Sequence, residues 1–401
     1  MVLPTLSEQA KLKGLHLLAT GDILNKEWLE HVKKYLTEEN GCFKEESFGT
    51  CFVLAGEIND MHNVHHIFFL PDFNSVEGLR EKFKRFGRLD GNGFGRPTLN
   101  ASAEQIATIV IEADGIIGPA HAFTPYYSVF SHFDSLQSCY KSAAQEIHFI
   151  ELGLSADSYF ADLIEENHSK AFLTCSDAHS PWPYRIGREF VRIEMKAPKF
   201  SELKKVFEKE KECIKLNVGL DPREGKYHCT ACNRCYSKYP LESAIKLNWR
   251  CPRCKGTIKK GVRDRILELA KFSEEVHPSF RPEYLHIIPL AEIIKLALKV
   301  ENINSLAVQN IWHELVSAFG SEINTLVDVP IVEIADINEH VAKKIESFRE
   351  KRVLYIAGGG GKYGEPIICD SREELERKKL ELKDVLECGS SFKGQKTLGE
   401  F

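Results

Sequence analysis

Two pairs of closely spaced cysteines constrain the fold of this chain more than any other feature of its sequence. Cys229 and Cys232 form one pair, and Cys251 and Cys254 form the other. Each pair has the C-x2-C spacing, which lets two thiolates of one tight turn bind the same metal ion. Together they predict a structural four-cysteine Zn²⁺ site, a zinc ribbon, over residues 227–258. Cys235 could replace Cys232, but we interpret it as a spare cysteine.

The composition indicates that this ribbon belongs to a larger globular protein. The chain has 401 residues, of which 12 are cysteines and 43% are hydrophobic. Because the cysteines cluster, they favour metal binding in a reducing, cytoplasmic setting over a disulfide framework. No apolar run reaches the ~20 residues that a membrane helix needs. The first residues also lack a signal-peptide pattern, so we predict no membrane association.

The charge of the cysteine region differs from that of the whole chain. The formal net charge is −5, which does not favour a nucleic-acid partner. Around the cysteines, however, basic residues accumulate, and Tyr236 and Trp249 add aromatic rings. This local pattern suits phosphate contact and base stacking, although a solvated charged surface would explain it too. The basic residues are Arg234, Lys238, Lys246, Arg250, Arg253, Lys255, Lys259 and Lys260.

The first 200 residues alternate between short apolar runs and amphipathic stretches. This alternation predicts a parallel sheet or a β/α barrel. The motif Ser102-Ala-Glu-Gln105 has the pattern of a capping box and predicts the start of a helix. The predicted strands cover residues 15–20, 51–55, 66–70, 116–119, 147–150 and 171–175.

Ionisable residues sit at the ends of several of these predicted strands. Because barrel strands end on one face, we expect these side chains to converge there. Any one of them could be a turn former or a helix cap, but carboxylates and imidazoles together suit divalent metals. The residues concerned are Asp22, Glu57, His65, His66, His121, Glu151, Asp177 and His179.

Two of these assignments stay open at the level of the sequence. His65 and His66 are adjacent, so in a strand their side chains face opposite sides and only one can be a ligand. We favour His66, with His65 as the alternative. Glu151 could be a ligand or could support one from outside the coordination sphere.

The rest of the chain suggests contacts with phosphate groups. Gly358 to Gly361 precede Lys362 and Tyr363. The run does not fit the Walker A pattern, so we predict that backbone amides and Lys362 hold DNA phosphates while Tyr363 stacks on a base. The alternative is a flexible turn.

Two arginines follow the Asp177 region. We predict that Arg185 clamps the scissile phosphate and that Arg188 contacts DNA. Alternatively, Arg188 and Glu189 form an ordinary surface pair.

The motifs around these residues resemble those of a known superfamily. The runs Ala19-Thr-Gly-Asp22, Gly56-Glu57, Val64-His-His66, Pro119-Ala-His121 and Ser176-Asp-Ala-His-Ser180 are similar to the later motifs of PHP (polymerase and histidinol phosphatase) domains. Over nearly its full length, and most clearly over residues 176–190, the chain resembles the endonuclease Q family. The resemblance implies an α/β fold with a PHP-type distorted (β/α)7 barrel.

The resemblance also implies an activity. Members of this family are expected to cleave DNA on the 5′ side of deaminated bases and abasic sites. Two or three divalent ions, Zn²⁺, Mg²⁺ or Mn²⁺, would assist catalysis. On the family pattern, Glu57, His66 and His121 bind the second metal, Asp22 and His179 the third, and Asp177 the first. Glu57 and Asp177 are therefore also predicted to be catalytic.

One departure from the family pattern affects this prediction. PHP domains begin with a strand that ends in His-x-His, and this chain has no such motif. We therefore expect the barrel to lack its first strand, and we expect an upstream start site or a truncated sequence. Whether this exact chain is active stays open at the level of the sequence.

These observations predict the following organisation and function. We expect a PHP barrel over residues 1–205, a linker over 206–226, the ribbon, a helical DNA-binding domain over 259–370 and a polar tail over 371–401. A DNA-repair endonuclease would flip the damaged base into a pocket, with residues 91–97 and 123–130 as candidate walls. Its partners would be damaged DNA and replication or repair factors. The alternatives are a PHP-type small-molecule phosphoesterase and a DNA-binding protein with an inactivated barrel.

Overall fold

The computed structural model describes residues 2–90, 95–386 and 388. Short strands dominate the first half and helices the second. The strands are β1 Leu17–Ala19, β2 Leu36–Glu39, β3 Cys42–Glu45, β4 Cys51–Asn59, β5 His65–Leu70, β6 Ile116–Pro119, β7 Phe149–Glu151, β8 Ala171–Leu173, β9 Phe190–Ile193, β10 Ile214–Gly219, β11 Ala231–Cys232, β12 Ile258–Lys259, β13 Glu283–His286, β14 Val353–Ile356 and β15 Glu365–Ile368.

The helices are mostly short. In chain order they are α1 Leu3–Lys13, α2 Lys26–Tyr35, α3 Phe73–Phe83, α4 Ala103–Ile111, α5 Val129–His132, α6 Leu136–Tyr140, α7 Ser158–Ala161, α8 Phe200–Glu208, α9 Leu241–Lys246, α10 Val262–Leu269, α11 Leu290–Leu298, α12 Leu306–Phe319, α13 Glu322–Val327, α14 Ile331–Ile337, α15 Glu339–Arg349, α16 Arg372–Glu381 and α17 Lys383–Leu386.

The long strand β4 lies at the centre of the largest sheet. Its strands follow the order β2-β3-β4-β5-β6, and β1 also pairs with β4 in parallel. The β4–β5 and β5–β6 pairs are antiparallel. The six predicted strands of this half are all present, but the prediction of an all-parallel sheet is wrong. The alternation of helices and strands in the sequence does not fix the direction of each strand. A short turn can join two neighbouring strands and make them antiparallel, as the turn between β4 and β5 does.

Local signals place several of the elements correctly. Helix α4 begins at the predicted capping box, in which Ser102 accepts from the Gln105 amide and Gln105 accepts from the Ser102 amide. The apolar run Val353–Ile356 forms strand β14. The linker prediction for residues 206–226 differs from the structure, because β10 lies within it and pairs with β9 and β13. Asn217 of β10 is fully buried and donates to the Phe172 carbonyl.

Two large apolar cores stabilise the molecule. The first lies between the main sheet and helices α1 to α4, and the second lies among helices α11 to α15. Burial of such apolar surface is the main favourable term in folding. Among the described residues, no helix is both long and apolar enough to cross a bilayer.

A buried ion pair joins the two cores. Lys13, at the end of α1, donates to Glu322 of α13 at 2.6 Å and to the Pro183 carbonyl at 2.7 Å. Both charged side chains are 1% exposed. Glu322 also accepts from the Trp312 indole at 2.6 Å. The contact therefore links the first helix, the helical region and the segment that follows Asp177.

The predicted polar tail is partly helical. Residues 372–386 form α16 and α17, and the residues after 388 lie outside the part of the chain described. No residue of α16 is buried, as expected for a charged helix on the surface.

Candidate metal centre

Three side chains from different segments meet at one face of the main sheet. Glu57, His65 and His121 each offer a ligand atom, and these atoms lie within 4.8 Å of one another. The His65 Nδ1 atom is 2.8 Å from Glu57 Oε1 and 3.0 Å from His121 Nε2. We call these three residues the metal triad, because one carboxylate and two imidazoles are a typical ligand set for zinc and similar divalent ions.

Strand pairing brings the metal triad together. Glu57 lies on β4, His65 opens β5, and His121 follows β6 directly. The antiparallel register places Asn59 opposite His65 and His66 opposite Pro119. His121 has a positive φ of 31°, an uncommon conformation that is often found at functional sites.

The electrostatics of the metal triad favour an ionised carboxylate. Burial would raise the pKa of Glu57, but hydrogen bonds from His121 and His65 lower it well below its usual value. Burial lowers the pKa of His65. Burial also acts to lower the pKa of His121, but Glu57 raises that pKa above its usual value. Glu57 and His65 thus favour the protonation states that a metal ion requires of its ligands, whereas His121 would lose its proton when an ion binds.

His66 is not part of this group, so the preference for His66 over His65 is wrong. Its ring is fully buried on the other face of β5. There the Nδ1 atom lies 2.7 Å from the Tyr140 hydroxyl and Nε2 lies 3.3 Å from Asp60 Oδ2. Alternation along the strand separates the two histidines as expected, but which one faces the site depends on register.

Other predicted ligands surround the metal triad. The charges of Glu57 and His179 both act on Asp22, whose pKa is raised mainly by burial. The charge of Asp177 likewise acts on His121 and raises its pKa. The His179 Nε2 atom lies 3.4 Å from Asp177 Oδ1, and both side chains are largely exposed. Asp22 and Asp177 therefore lie close enough to the metal triad for their charges to interact with it, and His179 lies beside Asp177.

Glu151 supports the metal triad from behind. Its carboxylate accepts a hydrogen bond from the backbone amide of His121 and another, at 3.1 Å, from the amide of Gly153. Burial raises the pKa of Glu151 to about 7. Because its oxygens fix the backbone of His121, the supporting role is the one that the geometry favours.

Sequence reasoning missed Arg96. Its Nη1 atom lies 3.1 Å from Glu57 Oε2, the carboxylate oxygen that does not face the histidines. The neighbouring Gly95 packs so closely on Asp22 that a Cβ there would overlap the carboxylate. Residues 91–94 of the predicted pocket wall 91–97 lie outside the described residues. Arg96 lies within that predicted wall, but nothing in the sequence singled out the arginine itself.

The two arginines after Asp177 have different environments. Arg188 is 6% exposed, and its Nε donates to the Ser176 carbonyl at 2.9 Å. It therefore braces the backbone next to Asp177 and lacks the exposure that DNA contact needs. Glu189 is buried too, so the surface-pair alternative is wrong. Arg185 packs over the Tyr184 ring, and within the described residues no hydrogen bond or ion pair joins it to the metal triad.

The predicted pocket wall at residues 123–130 is also only partly exposed. Phe123 and Phe130 stack on each other in the core, 5.0 Å apart. The exposed rings of this segment are Tyr126 and Tyr127 instead. Tyr127 lies parallel to the His65 ring, with the centroids 4.7 Å apart. An exposed aromatic ring therefore lies directly beside the metal triad.

The ribbon forms, but with a different set of four cysteines. Cys232, Cys235, Cys251 and Cys254 offer sulfur atoms within 4.8 Å of one another. The sequence contained a hint of this, because Cys232-Asn-Arg-Cys235 and Cys251-Pro-Arg-Cys254 share the pattern C-x-R-C. In both turns the next residue, Tyr236 or Lys255, has a positive φ near 60°. The two turns thus have the same local geometry.

The assignment of Cys229 to the ribbon site is wrong. Its backbone amide donates to the Gly358 carbonyl, and its sulfur is bonded to Cys388. The pair spacing of Cys229 and Cys232 is the same as that of Cys232 and Cys235, so spacing alone could not decide between them. The four-cysteine site itself remains a closed, structural type.

The glycine-rich run does not present its amides to a ligand. The amides of Gly358, Gly361 and Gly364 donate to the carbonyls of Arg223, Lys226 and Glu224. Gly360 packs against the Cys232 carbonyl, where a Cβ would lie 2.2 Å away. The run is therefore a tight turn that packs on the ribbon, and the predicted phosphate contact through its amides is wrong. Lys362 and Tyr363 remain exposed next to it.

The chain is similar to several known proteins. A family model described as the MJ0043 C-terminal domain matches residues 289–352. The protein MJ0043 of Methanocaldococcus jannaschii is 39% identical over 76% of this chain, which spans 40% of the length of that relative. YqxK of Bacillus subtilis is 28% identical over 90% of each chain.

Two solved structures cover almost the whole chain. The lesion-specific endonuclease PfuEndoQ from Pyrococcus furiosus is 46% identical, with a TM-score of 0.85 over 96% of this chain and 94% of that one. An endonuclease Q complex with a 27-mer duplex that carries an abasic lesion is 47% identical, with a TM-score of 0.87 over 94% and 93%. At this identity and coverage, the chain belongs to the endonuclease Q family.

Proposed function

We propose that this chain is a metal-dependent endonuclease that nicks DNA on the 5′ side of damaged nucleotides, deaminated or abasic. The convergence of Glu57, His65 and His121 carries the proposal, because it brings a metal-binding set to the surface of a protein whose relatives act on DNA lesions. The expected products are a 3′-hydroxyl and a 5′-phosphate.

The metal triad fits a divalent ion. Glu57 Oε1 lies 2.8 Å from His65 Nδ1 and 3.5 Å from His121 Nε2, and the two ring nitrogens lie 3.0 Å apart. Three atoms that can each donate a lone pair to an ion therefore converge on one point. Asp22, Asp177 and His179 would complete the ligands of two or three ions. Such ions polarise a phosphate and lower the pKa of a bound water towards neutrality.

The protein side chains would hold and orient the groups around the reacting phosphate. Glu151 fixes the His121 backbone, and Arg188 fixes the backbone before Asp177. Arg96 presents a guanidinium at the rim, where it could bind a non-bridging phosphate oxygen in the manner predicted for Arg185. Preorganised donors of this kind contribute to catalysis because they need not reorient during the reaction.

A row of tyrosines and lysines supports a nucleic-acid substrate. From Tyr127 beside the metal triad, the row continues through Tyr126, which lies 5.7 Å from Tyr227. Lys259 of the ribbon lies 4.4 Å above the Tyr126 ring, and Lys226 lies between Tyr227 and Tyr363. Aromatic faces bind unstacked bases and lysines bind phosphates, so this row suits a DNA strand with Tyr363 and Lys362 at its far end.

The decisive experiment compares matched duplexes. Metal-stripped protein is supplied with Mg²⁺, Mn²⁺ or Zn²⁺ and incubated with duplexes that differ only in one uracil or one abasic site. We expect a nick at the lesion only, lost in Glu57→Gln. Equal nicking of the undamaged duplex, or nicking that survives Glu57→Gln unchanged, would contradict the proposal.

Ionic strength separates this activity from that of a small-molecule phosphoesterase. If several phosphates are bound, raising salt from 50 to 200 mM should lower DNA affinity by about 10³-fold or more. Hydrolysis of a small phosphomonoester should change little. Weak salt dependence together with fast phosphomonoester hydrolysis would favour the small-molecule alternative.

A further inference from the structure

A third group of side chains that could hold a metal ion lies at the base of the ribbon, apart from both the four-cysteine site and the metal triad. His228, Cys229 and Cys388 each offer one ligand atom, and these atoms lie within 4.8 Å of one another. Cys229 and Cys388 are joined by a disulfide that spans 159 residues of sequence. The group therefore connects the start of the ribbon to the end of the chain.

The group stands where several parts of the molecule meet. Cys229 is 1% exposed, and its backbone bridges to Gly359 of the glycine-rich turn. His228 is 3% exposed and packs edge-on against Phe160 from the first half of the chain. The Arg263 amide donates to the His228 carbonyl. The backbone on both sides is thus fixed, which holds two of the three ligand residues in place.

The histidine provides an independent indication of a ligand. Its Nδ1 atom is buried and has no hydrogen-bond partner in the part of the chain described. Buried ring nitrogens usually find a partner, because an unpaired one costs its full desolvation penalty. This nitrogen is therefore available to an ion. A disulfide alone would not require a histidine in this state.

We propose that His228, Cys229 and Cys388 form a site for a thiophilic divalent cation of the Zn²⁺ type, open when the disulfide is reduced. A dithiol would supply two electrons and two protons, breaking the S–S bond and leaving two thiols as it becomes a disulfide itself. Cation binding would then release the two thiol protons and add the His228 lone pair. Two sulfurs and one nitrogen suit zinc and leave a fourth position open. In either state Cys388 stays attached to Cys229, through the disulfide or through the ion.

Cobalt titration of the whole chain tests this proposal, because thiolate-to-Co²⁺ charge-transfer absorption reports sulfur ligands and ignores ions bound at the metal triad. The protein is reduced with a dithiol, or left oxidised, and then desalted without oxygen. The ribbon provides four thiolates and the new site two more. We therefore expect about 1.5-fold more charge-transfer absorption in the reduced protein at saturation.

Variants identify the ligands. In Cys388→Ser and in Cys229→Ser, the charge-transfer absorption should stay at the level of the oxidised wild type whether or not the variant is reduced. His228→Ala should weaken binding of the additional Co²⁺ at least about tenfold. Cys213→Ser, a half-buried cysteine outside both groups, is the matched control and should behave as the wild type. The four-thiolate signal of the ribbon shows in each case that the variant has folded.

Three results would overturn the proposal. The reduced wild type could show no more charge-transfer absorption than the oxidised protein. Cys388→Ser could keep the full absorption. His228→Ala could bind the additional ion as tightly as the wild type, which would leave the histidine without a role.

Discussion

The two faces of strand β5 carry the same chemistry and use it differently. On one face His65 meets Glu57, His121 and the exposed ring of Tyr127. On the other face His66 meets Asp60 and Tyr140, and all three side chains are fully buried. Both sites pair an imidazole with a carboxylate. Only the first has a second imidazole and access to solvent, so only the first can admit a cation.

This difference teaches that residue type alone does not distinguish a ligand from a structural histidine. A fully buried imidazole between a carboxylate and a phenol is out of reach of a cation from solvent, and its removal should lower the stability of the fold. An imidazole beside a second imidazole and a partly exposed carboxylate can still bind an ion. Four substitutions test the contrast, in order of decreasing expected effect.

The largest effect is expected from His65→Ala. Loss of an outer-shell partner of a metal ligand costs 10–100-fold in activity, so loss of a ligand itself should lower lesion-dependent nicking by more than about 100-fold. Because the His65 side chain is buried, some loss of stability is expected as well, so nicking is compared per folded molecule. The measurement is single-turnover nicking of an abasic duplex at saturating Mn²⁺. Activity within tenfold of the wild type would remove His65 from the site.

The second prediction concerns the opposite face. His66→Ala leaves Asp60 Oδ2 and the Tyr140 hydroxyl buried with fewer partners, each worth about 1–3 kcal/mol. We expect a free energy of unfolding lower by about 2–4 kcal/mol, seen in denaturant titration. Nicking per folded molecule should stay near that of the wild type. A variant as stable as the wild type but inactive would reverse the assignment of the two histidines.

A smaller effect is expected from Tyr127→Ala. The stacked ring orients His65, and aromatic pairs contribute about 0.5–1.5 kcal/mol. Metal affinity, measured by isothermal titration, should fall by about two- to tenfold. Tyr126→Ala is the matched control, since its ring touches Tyr227 and not His65. If both variants bound metal equally well, the stack would have no role in positioning the ligand.

The smallest effect is expected from Arg96→Gln. Its guanidinium neutralises one oxygen of Glu57, but the arginine side chain is 38% exposed and solvent weakens the pair. Exposed ion pairs contribute about 0–1 kcal/mol, so removing this competing charge should tighten metal binding by at most about fivefold. Weaker metal binding in the variant would mean that Arg96 supports the metal triad and does not compete with the ion.

The sequence allowed much of the site to be predicted because short-range patterns fix strands and their ends. Strands β4 and β6 both pair with β5, so they run in the same direction and their carboxyl ends lie at the same edge of the sheet. The prediction of Glu57 and His121 as neighbours therefore did not depend on the direction of β5. The choice between His65 and His66 failed because a shift of one residue in register exchanges the two faces. Register is set by the partners of β5 across the sheet, which no local pattern reveals.

The cysteines show the same limit. Three cysteines at positions 229, 232 and 235 have equal spacings, and only two can enter a tetrahedral site with Cys251 and Cys254. Which two of the three enter the site depends on where the backbone turns. The backbone of Cys229 instead forms a β-bridge with the glycine-rich turn. Arg96 was missed for a similar reason, since its contact with Glu57 joins segments 39 residues apart.

The Lys13–Glu322 contact has a consequence for how this architecture can change over evolutionary time. Two buried charges that neutralise each other must be inherited together, because either one alone would be left in an apolar interior at a cost of about 3–5 kcal/mol. If recombination replaced the helical region with that of a distant relative, the protein would therefore be destabilised unless the new region had an acidic residue at the position of Glu322. We therefore expect Lys13 and Glu322 to be kept or lost together, even where the surface residues around them diverge.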